Sequence, residues 1–298
     1  MSIQEQVEQI TKNETLTKRK KEIELLKIEG LTKQDVKILL SFCTDNAPIA
    51  ANVNVIKKLT FGVEIECYNA PRTALIQKAA QNNLRLQSEG YNHIDNRHHF
   101  KLVSDASIRG ENPVECVSPI LSNNKSGFDA LKNCCNTLEA VGAKVNKSTG
   151  LHVHVGGLDS GEWYVNVFKN YQKAERLIDN FMAQSRRANN AFFAKSIQDA
   201  NFEDCHTSGD VYLKLRGDRY RKVNPCAWGR HGTIEFRQHQ GSIDYEKISM
   251  WVSFCLKLVA WSKSNTFENC LTTIDELVFL SKKEKDFFKS RAEALSNN

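Results

Sequence analysis

Ionisable side chains occupy every second position in three separate segments of the sequence. The pairs are Glu64 and Glu66 in FGVEIE, His152 and His154 in GLHVHVG, and Glu235 and Arg237 in TIEFRQ. Because successive side chains of a β-strand point to opposite faces, each segment predicts a strand with one apolar face and one ionisable face. A fourth segment of this kind, PVECVSP, adds Glu115.

Carboxylates that gather on one face repel each other, and the repulsion grows where water is excluded. A divalent cation is the economical way to stabilise them. A ligand set of several carboxylates with one imidazole suits Mg²⁺ or Mn²⁺ better than Zn²⁺, which prefers three or four His and Cys ligands. Any one of these strands alone is typical of an ordinary solvated face, but the four together favour a metal site.

The elements that position these residues alternate along the chain after Phe61. Strands are predicted at 61–67, 99–104, 113–120, 151–155, 222–226 and 233–238, and helices at 71–85, 126–141, 160–187, 244–262 and 281–296. The helix N-caps are predicted at Ser126, Ser160, Asp244 and Ser281. Strands that alternate apolar and polar residues favour an antiparallel or mixed sheet with one covered face, and thus an α+β fold.

The first fifty-odd residues carry no recognisable chemistry. Residues 3–29 are rich in Lys, Glu and Gln around a thin apolar stripe, which predicts one long helix, and a second helix is predicted to begin at Thr32. Residues 44–55 are interpreted as a linker. The domain prediction is a helical extension with linker at 1–55, a catalytic domain at 56–265 and a helical tail at 266–298.

Composition narrows the class of protein. The 298 residues carry 41 Lys and Arg against 35 Asp and Glu, and this net charge of +6 is spread along the chain, so nucleic acid is not an expected partner. No segment approaches the roughly 20 apolar residues of a membrane span, and no secretory signal is recognised. Nine cysteines without a CxxC pair fit neither a zinc site nor a disulfide framework. A cytoplasmic location is therefore expected.

The ordered set of motifs resembles the amidoligase family. These motifs are FGVEIE, VSDASI, ENPVECVSPIL, GLHVHVG, RYRKVN and GTIEFRQHQGSID, and they span about residues 60–262. The family belongs to the superfamily of glutamine synthetase and glutamate–cysteine ligase. The resemblance implies a glutamine synthetase-like domain, in which a curved antiparallel sheet has helices on its outer face. It also implies ATP-dependent amide formation through an acyl phosphate, with ATP and two Mg²⁺ (or Mn²⁺) ions as cofactors.

The resemblance also implies roles for individual residues. The implied metal ligands are Glu64, Glu66, Glu115, His152 and Glu235, and the implied catalytic residues are Arg237, Glu66 and Glu235. Arg237 would also meet the transferring phosphate or the substrate carboxylate. Asn224 matches a family asparagine at the nucleotide, although an ordinary strand-end amide is equally typical of this place. Asp105 and Ser107 match a DxS step at the substrate, where a simple Asx turn is the alternative, and His154 is assigned to the substrate with them.

Other residues are less specific. Arg219 and Arg221 suit nucleotide phosphates because a guanidinium matches phosphate geometry, but a solvated basic turn is an equal alternative. His239 is expected to continue the ionisable face of 233–238 as a neighbour of the site. A polar loop with His93, His98 and His99 is a candidate substrate lid. Trp251, Trp261 and the cysteines are assigned to the core.

The expected partners are a small-molecule or peptide carboxylate and an amine acceptor, without nucleic acid or membrane, and homo-oligomerisation stays open. No P-loop motif GxxxxGK[ST] is present, so ATP binding would have to use the sheet. Two other functions stay open at this point. One is a Zn²⁺- or Mn²⁺-dependent hydrolase that uses the HxH pair and the glutamates. The other is a ligase-like module that binds a partner without catalysis.

Overall fold

The alternating segments form the centre of one sheet in the computed structural model, which describes residues 2–11, 13, 18–42, 53–90, 98–190 and 192–296. The strands are β1 (Thr60–Cys67), β2 (Leu86–Ser88), β3 (Phe100–Val103), β4 (Val114–Val117), β5 (Leu121–Ser122), β6 (Gly150–Gly156), β7 (Val223–Asn224) and β8 (Thr233–Gln240). Their order is β2-β3-β4-β1-β6-β8-β7, with β5 paired to the start of β1. Every pair is antiparallel except β2 with β3, so the sheet is mostly antiparallel, within the predicted choice of an antiparallel or a mixed sheet.

The described residues also form a series of helices. They are α1 (Ile3–Thr11), α2 (Lys18–Leu25), α3 (Lys33–Phe42), α4 (Val53–Lys58), α5 (Arg72–Gln81), α6 (Lys125–Ala140), α7 (Gly161–Asn180), α8 (Ser208–Lys214), α9 (Ala227–His231), α10 (Tyr245–Trp261) and α11 (Lys282–Ser296). Among the described helices, none has both the length and the apolar character that crossing a bilayer requires.

Local capping explains where the long helices begin. The side chains of Ser160 and Asp244 accept hydrogen bonds from backbone N–H groups of the first turn, as predicted for α7 and α10. The predicted cap at Ser126 is wrong, because Asn124 accepts the N–H of Gly127 and starts α6 earlier. Gly127 is required there, since a Cβ atom would collide with the carbonyl oxygen of Ser122. The prediction for 160–187 is too long, because α7 ends at Asn180.

The apolar face of the sheet packs against α6, α7 and α10. Phe61 of β1 lies 5.1 Å from the ring of Phe128 in α6, and Phe236 of β8 lies 5.7 Å from Tyr171 in α7. Trp251 of α10 is fully buried in the same core, as predicted. Each large side chain removed from water contributes about 1.5–3 kcal/mol. The core therefore holds the sheet by one face and leaves the ionisable face to form cavities.

The N-terminal segment differs from its prediction. The single helix expected over 3–29 is wrong, because α1 ends at Thr11 and α2 begins only at Lys18. One continuous helix would leave its thin apolar stripe in water, whereas separate helices bury Val7 and Leu25 against α3. The predicted start at Thr32 is confirmed by a hydrogen bond from its backbone N–H to Asp35. Residues 44–52 of the expected linker lie outside the described residues, and its last residues belong to α4.

Candidate active site

Strand register brings the ionisable side chains together on the face opposite the helices. β1 lies between β4 and β6, so that Glu66 is directly opposite Glu115 and Glu64 is directly opposite His152. His154 of β6 is opposite Glu235 of β8. Residues opposite each other in antiparallel strands have Cβ atoms about 4.5–5.5 Å apart. Groups far apart in the sequence therefore form one cluster.

Glu64 lies at the centre of this cluster, between two imidazoles. Its Oε2 is 2.8 Å from Nδ1 of His152, and its Oε1 is 3.4 Å from Nε2 of His154. Burial alone would raise the pKa of Glu64, but hydrogen bonds from both histidines outweigh burial and hold the pKa well below its usual range. Burial likewise opposes a charged His154, yet the nearby Glu235 and Glu64 raise its pKa. Glu64 is thus held as an anion.

The pKa of Glu115 is shifted in the opposite direction to that of Glu64. Burial raises its pKa well above the ordinary value, and the charges of Glu64, Glu66 and Asp105 raise it further. One of its carboxyl oxygens lies within 4.8 Å of an oxygen of Glu64, so the two carboxyl groups are close neighbours. At this point the cluster contains more negative charge than the surrounding protein neutralises.

Glu66 is fixed by the backbone of the neighbouring strand. Its Oε2 accepts a 2.6 Å hydrogen bond from the N–H of Gly150, while its Oε1 lies 3.7 Å from Nε2 of His152. A Cβ atom at Gly150 would come within 3.1 Å of that same nitrogen of His152. Glycine at the start of GLHVHVG therefore leaves room for both side chains, and one oxygen of Glu66 faces the cluster.

Glu235 is held by two donors. Nη1 of Arg237 donates to its Oε1, and Nδ2 of Asn224 donates to its Oε2 at 2.5 Å. Burial opposes ionisation of Glu235, but the positive charge of Arg237 overcomes burial and lowers the pKa to about 2. Asn224 also accepts the N–H of Cys226 through Oδ1, so both ends of its amide are used within the protein. The structure thus places Asn224 behind Glu235 as a positioning residue.

Three groups of side chains bring their ligand atoms within 4.8 Å of one another. They are Glu64 with Glu115 and His152, Glu64 with His154 and Glu235, and Glu66 with Asp105 and Glu115. Glu64 and Glu115 each belong to two groups, which places the candidate cation positions side by side. Because carboxylate oxygens dominate each group, these residues fit Mg²⁺ or Mn²⁺.

Two cavities adjoin the cluster, with volumes of about 310 Å³ and 430 Å³. The first is lined by Glu64, Glu115 and His154 with apolar residues of β1, β3 and β4, and the second by Glu66, Ser107 and Arg186 with aromatic residues. Four residues line both cavities and form their common wall, namely Asp105, His152, Arg219 and Arg237. A group bound at this wall would contact ligands on either side.

A family model described as "Putative amidoligase enzyme" matches residues 57–259, about two thirds of the chain. The chain belongs to the amidoligase family. The match includes every residue that lines the two cavities, while α1 to α3 and α11 lie outside it. A comparison with curated proteins found no match.

The two basic-turn arginines of this amidoligase point to different places. Arg219 lines both cavities, and no hydrogen bond or ion pair within the described residues occupies its guanidinium group. Arg221 lines neither cavity. Its Nη1 donates to Asp199 and to the carbonyl oxygen of Ser196, both at 2.6 Å. The structure therefore brings Arg219 to the site and uses Arg221 to hold a loop.

His239 does not continue the ionisable face, and that prediction is wrong. A β-bulge between β6 and β8 shifts the register, so that His239 lies opposite Leu151 on the helix side. Its ring is 5.6 Å from that of Trp251. Burial lowers the pKa of His239 to about 3, so the imidazole is neutral.

The predicted histidine lid receives no support from the described residues. His93 lies outside them, and neither His98 nor His99 lines either cavity. His99 is instead within 2.6 Å of the carboxylate of Glu89.

The sequence analysis does not single out two basic residues that line the cavities. Lys101 of β3 is 5% exposed and lines the first cavity, two strands away from Glu64. The alternation of apolar and ionisable residues that identifies the other strands also marks this one, since Lys101 lies between Phe100 and Leu102. Arg186 lines the second cavity and donates to the carbonyl oxygen of Thr149 at 2.6 Å. It lay inside a predicted helix, and no pattern marked it.

Proposed function

We propose that this amidoligase is an ATP-dependent carboxylate–amine ligase that forms an amide through an acyl phosphate. The observation that carries the proposal is the strand register, which brings Glu64, Glu115 and His152 together so that their ligand atoms lie within 4.8 Å of one another. Divalent cations would stabilise carboxylates gathered in this way. Binding of Mg²⁺–ATP brings such cations together with phosphate, the group that the reaction transfers.

The proposed ligands are Glu64, Glu66, Glu115, His152 and Glu235, with Asp105 as an addition from the structure. Bound Mg²⁺ or Mn²⁺ would neutralise the charge of the phosphate oxygens. The protein's own part is to hold the carboxylates in place, which the backbone N–H of Gly150 does for Glu66 and Asn224 does for Glu235.

In this proposal each of the two cavities binds different substrates. The first cavity has an apolar wall that includes Val63, Val103 and Val117, which suits a nucleotide base and sugar. The second accepts the carboxylate and the amine. The transferred phosphoryl group would lie at the common wall, where the guanidinium groups of Arg219 and Arg237 face it. A mostly antiparallel sheet with helices on one face and the site on the other supports a glutamine synthetase-like domain.

The proposed reaction has two steps. A carboxylate oxygen attacks the γ-phosphorus, the bond to the β,γ-bridging oxygen breaks, and ADP leaves. The amine nitrogen then attacks the acyl carbon, and inorganic phosphate leaves with the electrons of the C–O bond. The amine attacks as the free base, and the proton that its nitrogen loses when the amide forms leaves with the phosphate.

The hydrolase alternative is less well supported. A zinc hydrolase would place His152 and His154 on one ion, but the two imidazoles belong to different groups of ligand atoms. Each group contains at most one imidazole and two carboxylates or more. This donor set supports phosphate-bridging Mg²⁺ over zinc.

ADP release tests the proposal. The purified protein is incubated with Mg²⁺–ATP and a matrix of amino acids, short peptides and simple amines. We expect ADP release that requires both a carboxylate and an amine, with an amide product in mass spectrometry. Glu64→Gln should abolish the release, whereas Arg221→Lys should retain it because Arg221 lines neither cavity. Absence of nucleotide binding at millimolar ATP in the folded protein would contradict the proposal.

A further inference from the structure

The second cavity opens beside two aromatic side chains that solvent reaches. Phe193 is 48% exposed and Tyr220 is 39% exposed, and their ring centroids are 5.0 Å apart. Both line the cavity. Large aromatic rings exposed together at a cavity are typical of a binding surface, because contact with a ligand removes their apolar area from water. We call Phe193 and Tyr220 the aromatic rim.

The aromatic rim is held in place by the backbone. The loop that carries Phe193 is tied to the segment of Tyr220 by a 2.8 Å hydrogen bond from the N–H of Lys195 to the carbonyl oxygen of Tyr220. Phe193 itself has a φ of 58°, in the left-handed region that bulky residues occupy only when their surroundings impose it. Its carbonyl oxygen accepts a hydrogen bond from Nε of Arg237 at 3.4 Å. The rim is therefore fixed relative to the common wall.

A guanidinium group adjoins the rim from inside the cavity. The Cζ atom of Arg219 lies 5.4 Å from the ring centroid of Tyr220, and its Nε is buried without a hydrogen-bond partner. An ammonium group placed here would be repelled, whereas a carboxylate would be attracted. The cavity thus offers a flat apolar surface at its mouth and a positive charge next to that surface.

We propose that the carboxylate substrate carries an aromatic group, which stacks on Phe193 and Tyr220 while the carboxylate faces Arg219 and Arg237. This inference rests on the proposed ligase function for the identity of the cavity, and it adds the class of substrate. A substrate of this kind is an aromatic amino acid, or a peptide that ends in one. The rim selects by stacking, and the arginines select the anionic end.

The test measures binding, so that it does not depend on turnover. The ligands are N-acetylphenylalanine, N-acetylalanine and N-acetylphenylalanine amide, titrated calorimetrically into the full chain with Mg²⁺ and a non-hydrolysable ATP analogue. We expect the phenyl compound to bind about two- to tenfold more tightly than the alanine compound, as ring stacking provides. The amide, which lacks the carboxylate, should bind much more weakly.

Substitutions in the aromatic rim test whether its rings cause this ratio of the two affinities. Phe193→Ala and Tyr220→Ala should each bring the ratio close to one. Tyr220→Phe should preserve the ratio because the ring is kept. Leu213→Ala serves as the control, since Leu213 is 72% exposed and lines neither cavity. Circular dichroism confirms that each variant is folded.

The other outcomes either overturn the inference or separate it from the ligase proposal. Equal binding of the two acids, or a ratio that survives both alanine variants, excludes an aromatic substrate at the rim. Weaker binding of the ATP analogue in Phe193→Ala with an unchanged ratio would assign the rim to the nucleotide base instead. A protein that shows the expected ratio but releases no ADP with any amine would contradict the ligase proposal and leave the rim assignment standing.

Discussion

Two clusters of buried charge lie on opposite faces of the sheet, and they differ in how they are neutralised. On the helix side, Lys222 is fully buried, with its Nζ 2.9 Å from Glu175 and 2.6 Å from Asp179. We call these three residues the Lys222 cluster. On the cavity side, Glu64 and Glu115 are the centre of the acidic cluster described above.

In the Lys222 cluster one cation lies between two carboxylates, and backbone N–H groups occupy the remaining carboxylate oxygens. The second carboxylate oxygen of Glu175 accepts the N–H of Ile197 at 2.9 Å. Asp179 accepts a hydrogen bond from the amide of Gln238 at 2.5 Å through the same oxygen that meets Lys222. In the acidic cluster, burial and the neighbouring carboxylates instead raise the pKa of Glu115 well above its ordinary value. Buried charge by itself therefore does not single out a candidate site. Carboxylates that raise one another's pKa are the ones that we expect a cation to stabilise.

The largest effect is expected from breaking the Lys222 cluster. Lys222→Met leaves the carboxylates of Glu175 and Asp179 buried without a cation, which should lower the free energy of unfolding by about 3–5 kcal/mol. Urea denaturation measures it. Lys195→Met is the matched control, because the Lys195–Asp218 ion pair is partly exposed and its loss should cost at most about 1 kcal/mol. A similar decrease in the free energy of unfolding in the two variants would show that burial does not make the Lys222 ion pairs more important for stability.

The next effect concerns the common wall. If Arg237 faces the transferred phosphoryl group, Arg237→Lys should reduce kcat for ADP release by about 10²–10³-fold, because a preorganised charge is lost at the reacting centre. Steady-state kinetics measure the change, with Arg221→Lys as the control arginine that lines neither cavity. Equal effects of the two substitutions would remove Arg237 from the reaction.

Divalent cations should distinguish the two clusters directly. Mg²⁺ at about 100 times its dissociation constant should raise the free energy of unfolding by about 2.7 kcal/mol relative to EDTA. Glu64→Gln should abolish this increase, because Glu64 belongs to two of the candidate ligand groups. Thermal denaturation at several Mg²⁺ concentrations measures it. An increase that persists in Glu64→Gln would place the cation elsewhere.

An effect that is smaller over any single pH unit should come from His239, which the protein keeps neutral. Because burial lowers its pKa to about 3, only the unfolded chain takes up a proton as the pH falls below about 6.5. The protein should therefore lose up to about 1.4 kcal/mol of stability per pH unit between about pH 6.5 and pH 3 from this group. His239→Phe keeps a ring against Trp251 and should flatten the profile in urea denaturation. An unchanged slope would contradict the assignment.

Much of the site follows from local patterns. Alternation within FGVEIE, GLHVHVG and TIEFRQ determines which side chains share a face, since the period of two is a property of the strand itself. The helix caps at Ser160 and Asp244 are similarly local, because a side chain bonds a backbone group three residues away. These features were accessible without knowledge of the tertiary structure.

Other features depend on contacts between distant segments. The sequence by itself determined the ionisable faces, the mixed sheet and the family to which the chain belongs. Only the tertiary structure decided that a bulge turns His239 toward the helices, that Asp105 joins the glutamates, and that Arg219 and not Arg221 reaches the cavities. The physical reason is that strand register, loop course and the pairing of charges are settled by the whole fold, whereas the periodicity of a strand is set by its own backbone.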